Sequence, residues 1–341
     1  MSGGSSPSAS HFFSLPHTPS LTPYTTAPSY PSKEFPRLLR PEIYHPLTHL
    51  TTPAPFRSSS NQPSPETPIQ TLLATGHFRA AAIAAAQILT TSTSPTDVQA
   101  IFSLFYVRLA CLTLCGSMAL AAQEATALED LNSSIYRDDA TGTHLVPWEL
   151  RVLAVRLQGV GFNDPRKGVM GYYDLARELR TDISKLRGKG GDVNEERAML
   201  EARLADLGIR VASALIEMEE LDGAVCHLSK LSTIPLQFPQ IRLQKALLLL
   251  QLGDVAAAQK CVVGDSEGDK IVAALSDMAD GKYGDAVEAW KALCERDESN
   301  TLYSQNLAVC LLYAGRMDEV RTPVNLVYPL GSIRPAGNIL T

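Results

Sequence analysis

The sequence predicts an all-α fold: a right-handed solenoid of helical hairpins behind a disordered N-terminal tail. Three observations lead there. Residues 306–320 read as a helix, a tight turn at Gly315 and the start of a second helix, and the pattern recurs around Gly253 and Gly281. Gly281 and Gly315 are 34 residues apart, as are Ala224 and Ala258. Residues 1–66 hold 13 of the chain's 22 prolines, together with many Ser and Thr, and show no apolar periodicity.

Taken in order, residues 1–66 lack the apolar surface needed to offset the entropy of ordering. Within them, residues 37–50 cluster Leu38, Leu39, Ile43, Tyr44, Leu47 and Leu50, which reads as a sticky linker or a short docking motif. From Pro68 the chain turns helical. Gly76 separates a short helix from an Ala-rich one, and alanine both favours helix and lets backbones approach closely. Thr96 or Asp97 caps the next helix, 98–115, which turns at Gly116 into a return helix carrying Met118, Ala121, Ala125 and Leu128. Residues 132–147 are polar and turn-rich, a loop. Pro147 heads another helix, four glycines and a proline between 159 and 171 break it, and Tyr172–Leu186 resumes it. Residues 187–192 form a flexible loop, and 193–218 a long helix with an apolar stripe.

The later hairpins are the most regular. Ala212, Ala246, Ala274 and Ala308 sit where a first helix nears its partner. Ala224, Ala258 and Ala286, with Val320 at the fourth position, sit where successive hairpins meet. A period near 34 residues with small residues at these seams marks tetratricopeptide repeats, which stack into scaffold surfaces. The spacing drops to 28 residues between Ala258 and Ala286, so the array is irregular there. The chain thus divides into a tail (1–66), an N-terminal hairpin region with loops (67–192), the repeats (193–320) and an irregular C-terminal tail (321–341).

Composition narrows the function. Net charge is −6, which lacks the basic footprint of a nucleic-acid binder. The six cysteines include no Cys-x-x-Cys pair, and no apolar core opens the chain as a secretory signal would, so the thiols read as reduced in a cytosolic protein. Residues 102–122 are mostly apolar, but Arg108 lies inside them and Gly116 interrupts them, so a buried helix pair is favoured over a membrane span.

No residue set points to catalysis, a cofactor or a metal. Cys111 and Cys115 share a helical face without a third ligand, and His45 and His49 likewise stand as a bare pair. Gly188, Lys189, Gly190 and Gly191 lack the spacing and preceding strand of a phosphate loop, as do Gly159 and Gly161. Glu195/Glu196 and Glu219/Glu220 are sequence neighbours, about 100° apart on a helix, and read as solvated faces. The Lys and Asn of a carboxylate clamp are missing at the fifth positions (Ile209, Leu243, Ile271, Gln305) and ninth positions (Ser213, Leu247, Leu275, Val309) of the repeats.

Residues 102–114, the Val-Pro-Trp-Glu-Leu-Arg-Val-Leu string at 146–153 and the Ala-Val-Cys-Leu-Leu-Tyr-Ala-Gly string at 308–315 resemble the trafficking protein particle (TRAPP) complex subunit 12 family. The likeness spans about residues 69–320. It implies a non-enzymatic scaffold in a TRAPP III-like tethering complex of ER-to-Golgi transport and autophagy. By the same resemblance its partners are other TRAPP III subunits, notably subunits eight and eleven, and indirectly a Rab-family GTPase. Its place is cytoplasmic, peripheral at the ER–Golgi intermediate compartment or Golgi, without a transmembrane segment. Residues 321–341 depart from the family pattern and read as a truncated or mis-spliced end. The rival readings are a repeat adaptor of another multiprotein complex, an enzyme with a site hidden in 132–192, and direct membrane association through 102–122.

Overall fold

A computed structural model describes residues 33–47, 62–187, 194–231, 238–297 and 299–320. The rest of the expected N-terminal tail, residues 188–193, which take in most of the expected 187–192 loop, and residues 321–341 lie outside the described residues. Among those described, every regular element is helical, and the single β-bridge joins Arg137 to His144. Two compact units divide within one helix, at Asp174/Leu175.

The first unit contains α1 (Ile69–Ala74), α2 (Phe78–Thr91), α3 (Val98–Leu114), α4 (Met118–Ala125), α5 (Trp148–Val160) and the start of α6 (Pro165–Arg187). Consecutive helices from α1 to α5 pack on one another, and α3 also reaches α5. The second unit contains the rest of α6, then α7 (Asn194–Glu217), α8 (Leu221–Lys230), α9 (Pro239–Gln251), α10 (Val255–Gln259), α11 (Glu267–Ala279), α12 (Tyr283–Arg296) and α13 (Thr301–Tyr313), after which 317–320 begin another helix. From α7 onward each hairpin packs on its neighbours in sequence, α7 on α9 and α9 on α11, as in a stacked helical-hairpin solenoid.

One turn builds six of these hairpins. A helix ends on a residue with positive φ: Gly76, Gly116, Gly253, Gly281 and Gly315, at φ of 73° to 82°, and Glu219 at φ 62°. The next N–H reaches back five residues, His77 to Leu72, Ser117 to Leu112, Glu220 to Leu215, Asp254 to Leu249, Lys282 to Asp277 and Arg316 to Leu311, at 2.8 to 3.0 Å. This is the Schellman closure, which satisfies a carbonyl that the helix end leaves open. Five residues past each turn comes a seam position. Ala81, Ala121, Ala224, Ala258 and Ala286 occupy five of them at 0% exposure, and half-buried Val320 the sixth. The other small row is also buried, with Ala212, Ala246, Ala274 and Ala308 between 0% and 8% exposed.

The α10 hairpin is the exception in the second unit. α10 is five residues long, and residues 260–266 lead without a helix to α11. Ser266 caps α11 by accepting from the Asp269 N–H at 3.2 Å, and its hydroxyl donates to Asp269 Oδ2 at 2.6 Å. Asp269 lies 3.6 Å from Arg242 of α9.

Two expectations need correction. Residues 33–47 are not structureless: two 3₁₀ turns, Pro36–Leu39 and Pro41–Ile43, lay Phe35 (5% exposed) and Leu38 (2%) into the core of the first unit. Their apolar cluster supplies the burial that a Pro/Ser/Thr tail lacks, about 1.5–3 kcal/mol for each large side chain covered. The glycines of 159–171 do not all break the helix either, because α6 starts at Pro165 and contains Gly168 and Gly171. They let α5 and α6 touch: a Cβ at Gly171 would come within 2.8 Å of Val155, and one at Gly159 within 3.2 Å of the Gly168 Cα.

The turn geometry makes a two-way prediction. A Cβ at Gly281 would meet nothing within 4 Å, so Gly281→Ala costs only the left-handed backbone, about 1–2 kcal/mol. Glu219→Gly relieves the same strain and gains about 0.5–1 kcal/mol, net of the extra unfolded-chain entropy. Urea unfolding midpoints of the two variants should move in opposite directions. At a seam, Ala258→Val should cost about 1–3 kcal/mol by the same measurement.

Candidate functional site

The strongest concentration of polar chemistry lies inside the first unit. α3 carries Arg108 in an otherwise apolar helix face, and the side chain is 1% exposed. A guanidinium so placed needs acceptors on every side. Glu124, on the return helix α4 and also 1% exposed, takes Nε at 2.9 Å and Nη2 at 2.6 Å. The Ala82 carbonyl of α2 accepts from Nη1 at 3.1 Å. The His45 carbonyl accepts from Nη2 at 2.8 Å, while the His45 N–H donates to Glu124 Oε1 at 2.9 Å. One buried ion pair therefore joins three helices to the segment 33–47, and it holds both backbone groups of a single residue there.

The surrounding groups reinforce the contact. The Tyr44 ring faces the Arg108 guanidinium at 6.0 Å and meets Phe105 edge-on at 6.2 Å. Its hydroxyl donates to the Leu38 carbonyl. Burial, and then the Glu124 charge, push the Tyr44 phenol well above its ordinary range, with Arg108 opposing. At the other end Phe35 stacks on Tyr136 at 5.5 Å and meets Phe102 edge-on at 5.0 Å, and its N–H donates to the Pro95 carbonyl at 3.2 Å. Lys33 Nζ donates to the Ser134 carbonyl at 2.9 Å and to Asp139 Oδ1 at 2.7 Å.

The loop 129–147 that receives this end is built around Tyr136 and His144, stacked at 6.3 Å and 5°. The Tyr136 hydroxyl donates to the Leu128 carbonyl at 2.6 Å. His144 Nδ1 accepts from the Val146 N–H at 3.0 Å, which leaves Nε2 to donate to the Leu131 carbonyl at 2.9 Å. His144 thus acts as a structural ring, bonded at both nitrogens within the loop.

The residue sets weighed in the sequence do not converge. Cys111 is buried and Cys115 exposed, and no cluster of three metal-ligating side chains occurs among the described residues. Burial, and then the neighbouring Cys115, push the Cys111 thiol up to about 12, against the pull of Arg108. Of the histidine pair, His45 is clamped by its backbone and His49 is outside the described residues, as are Gly188, Lys189, Gly190 and Gly191. Glu195 and Glu196 are exposed on the first turn of α7. Glu219 sits in the α7–α8 turn, and exposed Glu220 is the cap position of α8. At the clamp positions Ile209 is buried, Ser213, Leu243, Leu247, Ile271 and Leu275 are half-buried, and Gln305 and Val309 are exposed. Near 102–122 no helix is long and apolar enough to cross a membrane; that stretch is α3 and α4, reversed at Gly116 around the buried ion pair. A cleft of about 320 Å³ beside α4 and α5 is lined largely by apolar and small side chains, with Glu129, Gln158 and Lys167 among its polar groups.

The sequence marks residues 37–50 as a linker or docking motif, but it does not point to Glu124 or to the clamp on His45. The available signal was Arg108 itself, because a charge on a buried helix demands an anion on the helix that folds back onto it. Removing one member should leave the other buried without its counter-charge. Arg108→Met alone or Glu124→Leu alone should each cost about 3–5 kcal/mol, and the double variant should recover much of that. Urea unfolding of the three variants measures the coupling directly.

No family model matches the chain. It is similar to the mouse protein described as trafficking protein particle complex subunit 12, with 24% identity over 251 residues. The match takes in 63% of this chain and 31% of that protein, so the chain spans about a third of the length of the curated relative it matches.

Proposed function

We propose that this chain is a non-enzymatic scaffold subunit of a TRAPP III-like vesicle-tethering complex, acting by protein–protein binding in ER-to-Golgi transport and autophagy. The observation that carries the reading is the match to a trafficking protein particle complex subunit over 63% of the chain. The architecture supports it. Stacked hairpins with alanine seams and positive-φ turns, read as tetratricopeptide repeats, build extended surfaces for holding neighbours. The buried polar groups also fit a structural role: Arg108 and Glu124 spend their hydrogen bonds on the chain itself.

In this reading the partners are other TRAPP III subunits, notably the eighth and eleventh, and a Rab-family GTPase is engaged through the assembly. The chain is cytoplasmic and joins ER–Golgi intermediate or Golgi membranes peripherally, through the complex. Affinity purification of the tagged full chain from its native cell, followed by mass spectrometry, tests the proposal. Tethering subunits should be recovered in near-stoichiometric amounts and be lost when Ala258→Asp disrupts a seam. Recovery of a different multiprotein complex would instead make the chain a repeat adaptor of another pathway.

A further inference from the structure

We infer that the face formed by α2, α3 and α4 with the 129–147 loop is a peptide-binding site, and that residues 33–47 are its ligand in cis, a detachable strap in competition with any segment of the same pattern presented in trans. The pattern is an aromatic residue, a leucine three positions on and a tyrosine nine positions on, read here as Phe35, Leu38 and Tyr44.

The strap is organised as a docked peptide. Its backbone bonds are mostly its own: Leu38 to Phe35, Arg40 to Arg37, Ile43 to Arg40 and Tyr44 to Pro41, each N–H to carbonyl. Backbone attachment to the helical body comes at two points, Phe35 N–H on the Pro95 carbonyl and the two backbone groups of His45 on Arg108 and Glu124. Between them apolar side chains fill the space and exposed Arg37 pairs with Glu129. Pro36, Pro41 and Pro46 restrict the free segment, which lowers the entropy lost on docking.

The receiving side is preorganised without its occupant. If the strap leaves, Arg108 keeps both bonds to Glu124 and the one to Ala82, and Glu124 keeps Arg108. Neither charge is stranded, whereas a core element torn out of a buried ion pair would strand one. The clamp reads one N–H and one carbonyl, groups that any extended segment offers, so selection falls to the pockets for Phe35, Leu38 and Tyr44.

The test uses the full chain with a protease site inserted in the 48–61 connector. After cleavage of the folded protein, an excess of labelled 33–47 peptide should displace the N-terminal fragment and bind with one-to-one stoichiometry, while a scrambled peptide should not. An ester in place of the 44–45 amide removes the donor that Glu124 accepts and leaves the protein untouched. That peptide should bind at least about tenfold more weakly. The inference is overturned if the cut protein loses its helical circular dichroism, or if the fragment never exchanges while the fold persists. Equal binding by the scrambled or ester peptide overturns it as well.

Discussion

Every hairpin here depends on how a helix is allowed to stop. An α-helix ends with unpaired carbonyls, and in a stack of helices those ends cannot all face water. The positive-φ residue folds the chain so that the next N–H reaches a carbonyl five residues back, from His77 to Leu72 and on to Arg316 to Leu311. The same closure sets the phase of the following helix. Five residues later a side chain points into the seam, and where it is fully buried that side chain is a methyl group, as at Ala81, Ala121, Ala224, Ala258 and Ala286. Turn and seam are therefore one constraint. At Glu219 the geometry outweighs the residue's own preference: φ is 62° without a glycine, and Ala224 is still buried completely.

This coupling explains which parts of the fold the sequence discloses. Glycine at a turn and alanine five residues on are backbone requirements, so they surface as a literal repeat, and the hairpins of the second unit can be placed from sequence. Gly168 and Gly171 carry the same letter for a different reason. They thin a helix so that Val155 and Gly159 can approach, and composition alone cannot separate that use from a helix break. Residues 33–47 are legible only in part. Leu38 and Tyr44 stand out as an apolar cluster within a 66-residue window of Pro, Ser and Thr, but their partners do not: Phe35 meets Phe102 and Tyr136, and Tyr44 meets Arg108.

The buried ion pair of the first unit does what apolar seams cannot. Methyl groups in a seam tolerate small slips, because dispersion has little directional preference. Arg108 has donors at fixed angles and satisfies them on Glu124, Ala82 and His45 together. A slip of α3 against α4, or of the 33–47 segment against either, would break a charged hydrogen bond in a dry environment. Such a pair adds little net stability over well-packed apolar side chains, since desolvation offsets most of its attraction. Its contribution is register, and it is spent where a non-helical segment has no heptad or seam to align it.

In the second unit the weak joint is α10, where the repeat shortens and a five-residue helix offers one fully buried alanine, Ala258. A nearest-neighbour stack is only as continuous as its poorest interface, because no long-range contact bridges a gap. Here the missing helical turns are replaced by polar chemistry. Ser266 caps α11 and bonds Asp269, and Asp269 faces Arg242 on α9, passing over α10 to join the two longer helices directly. Burial pushes the Asp269 carboxyl up, but Ser266 and Arg242 together hold it below the usual carboxylate range. The group is therefore ionised in the folded state wherever an unfolded aspartate would be, and its contribution persists above the unfolded value and fades only as pH falls through the folded one. Each unit thus uses charge where its apolar pattern lapses, Arg108 where a non-helical segment must be held and Asp269 where a helix is cut short.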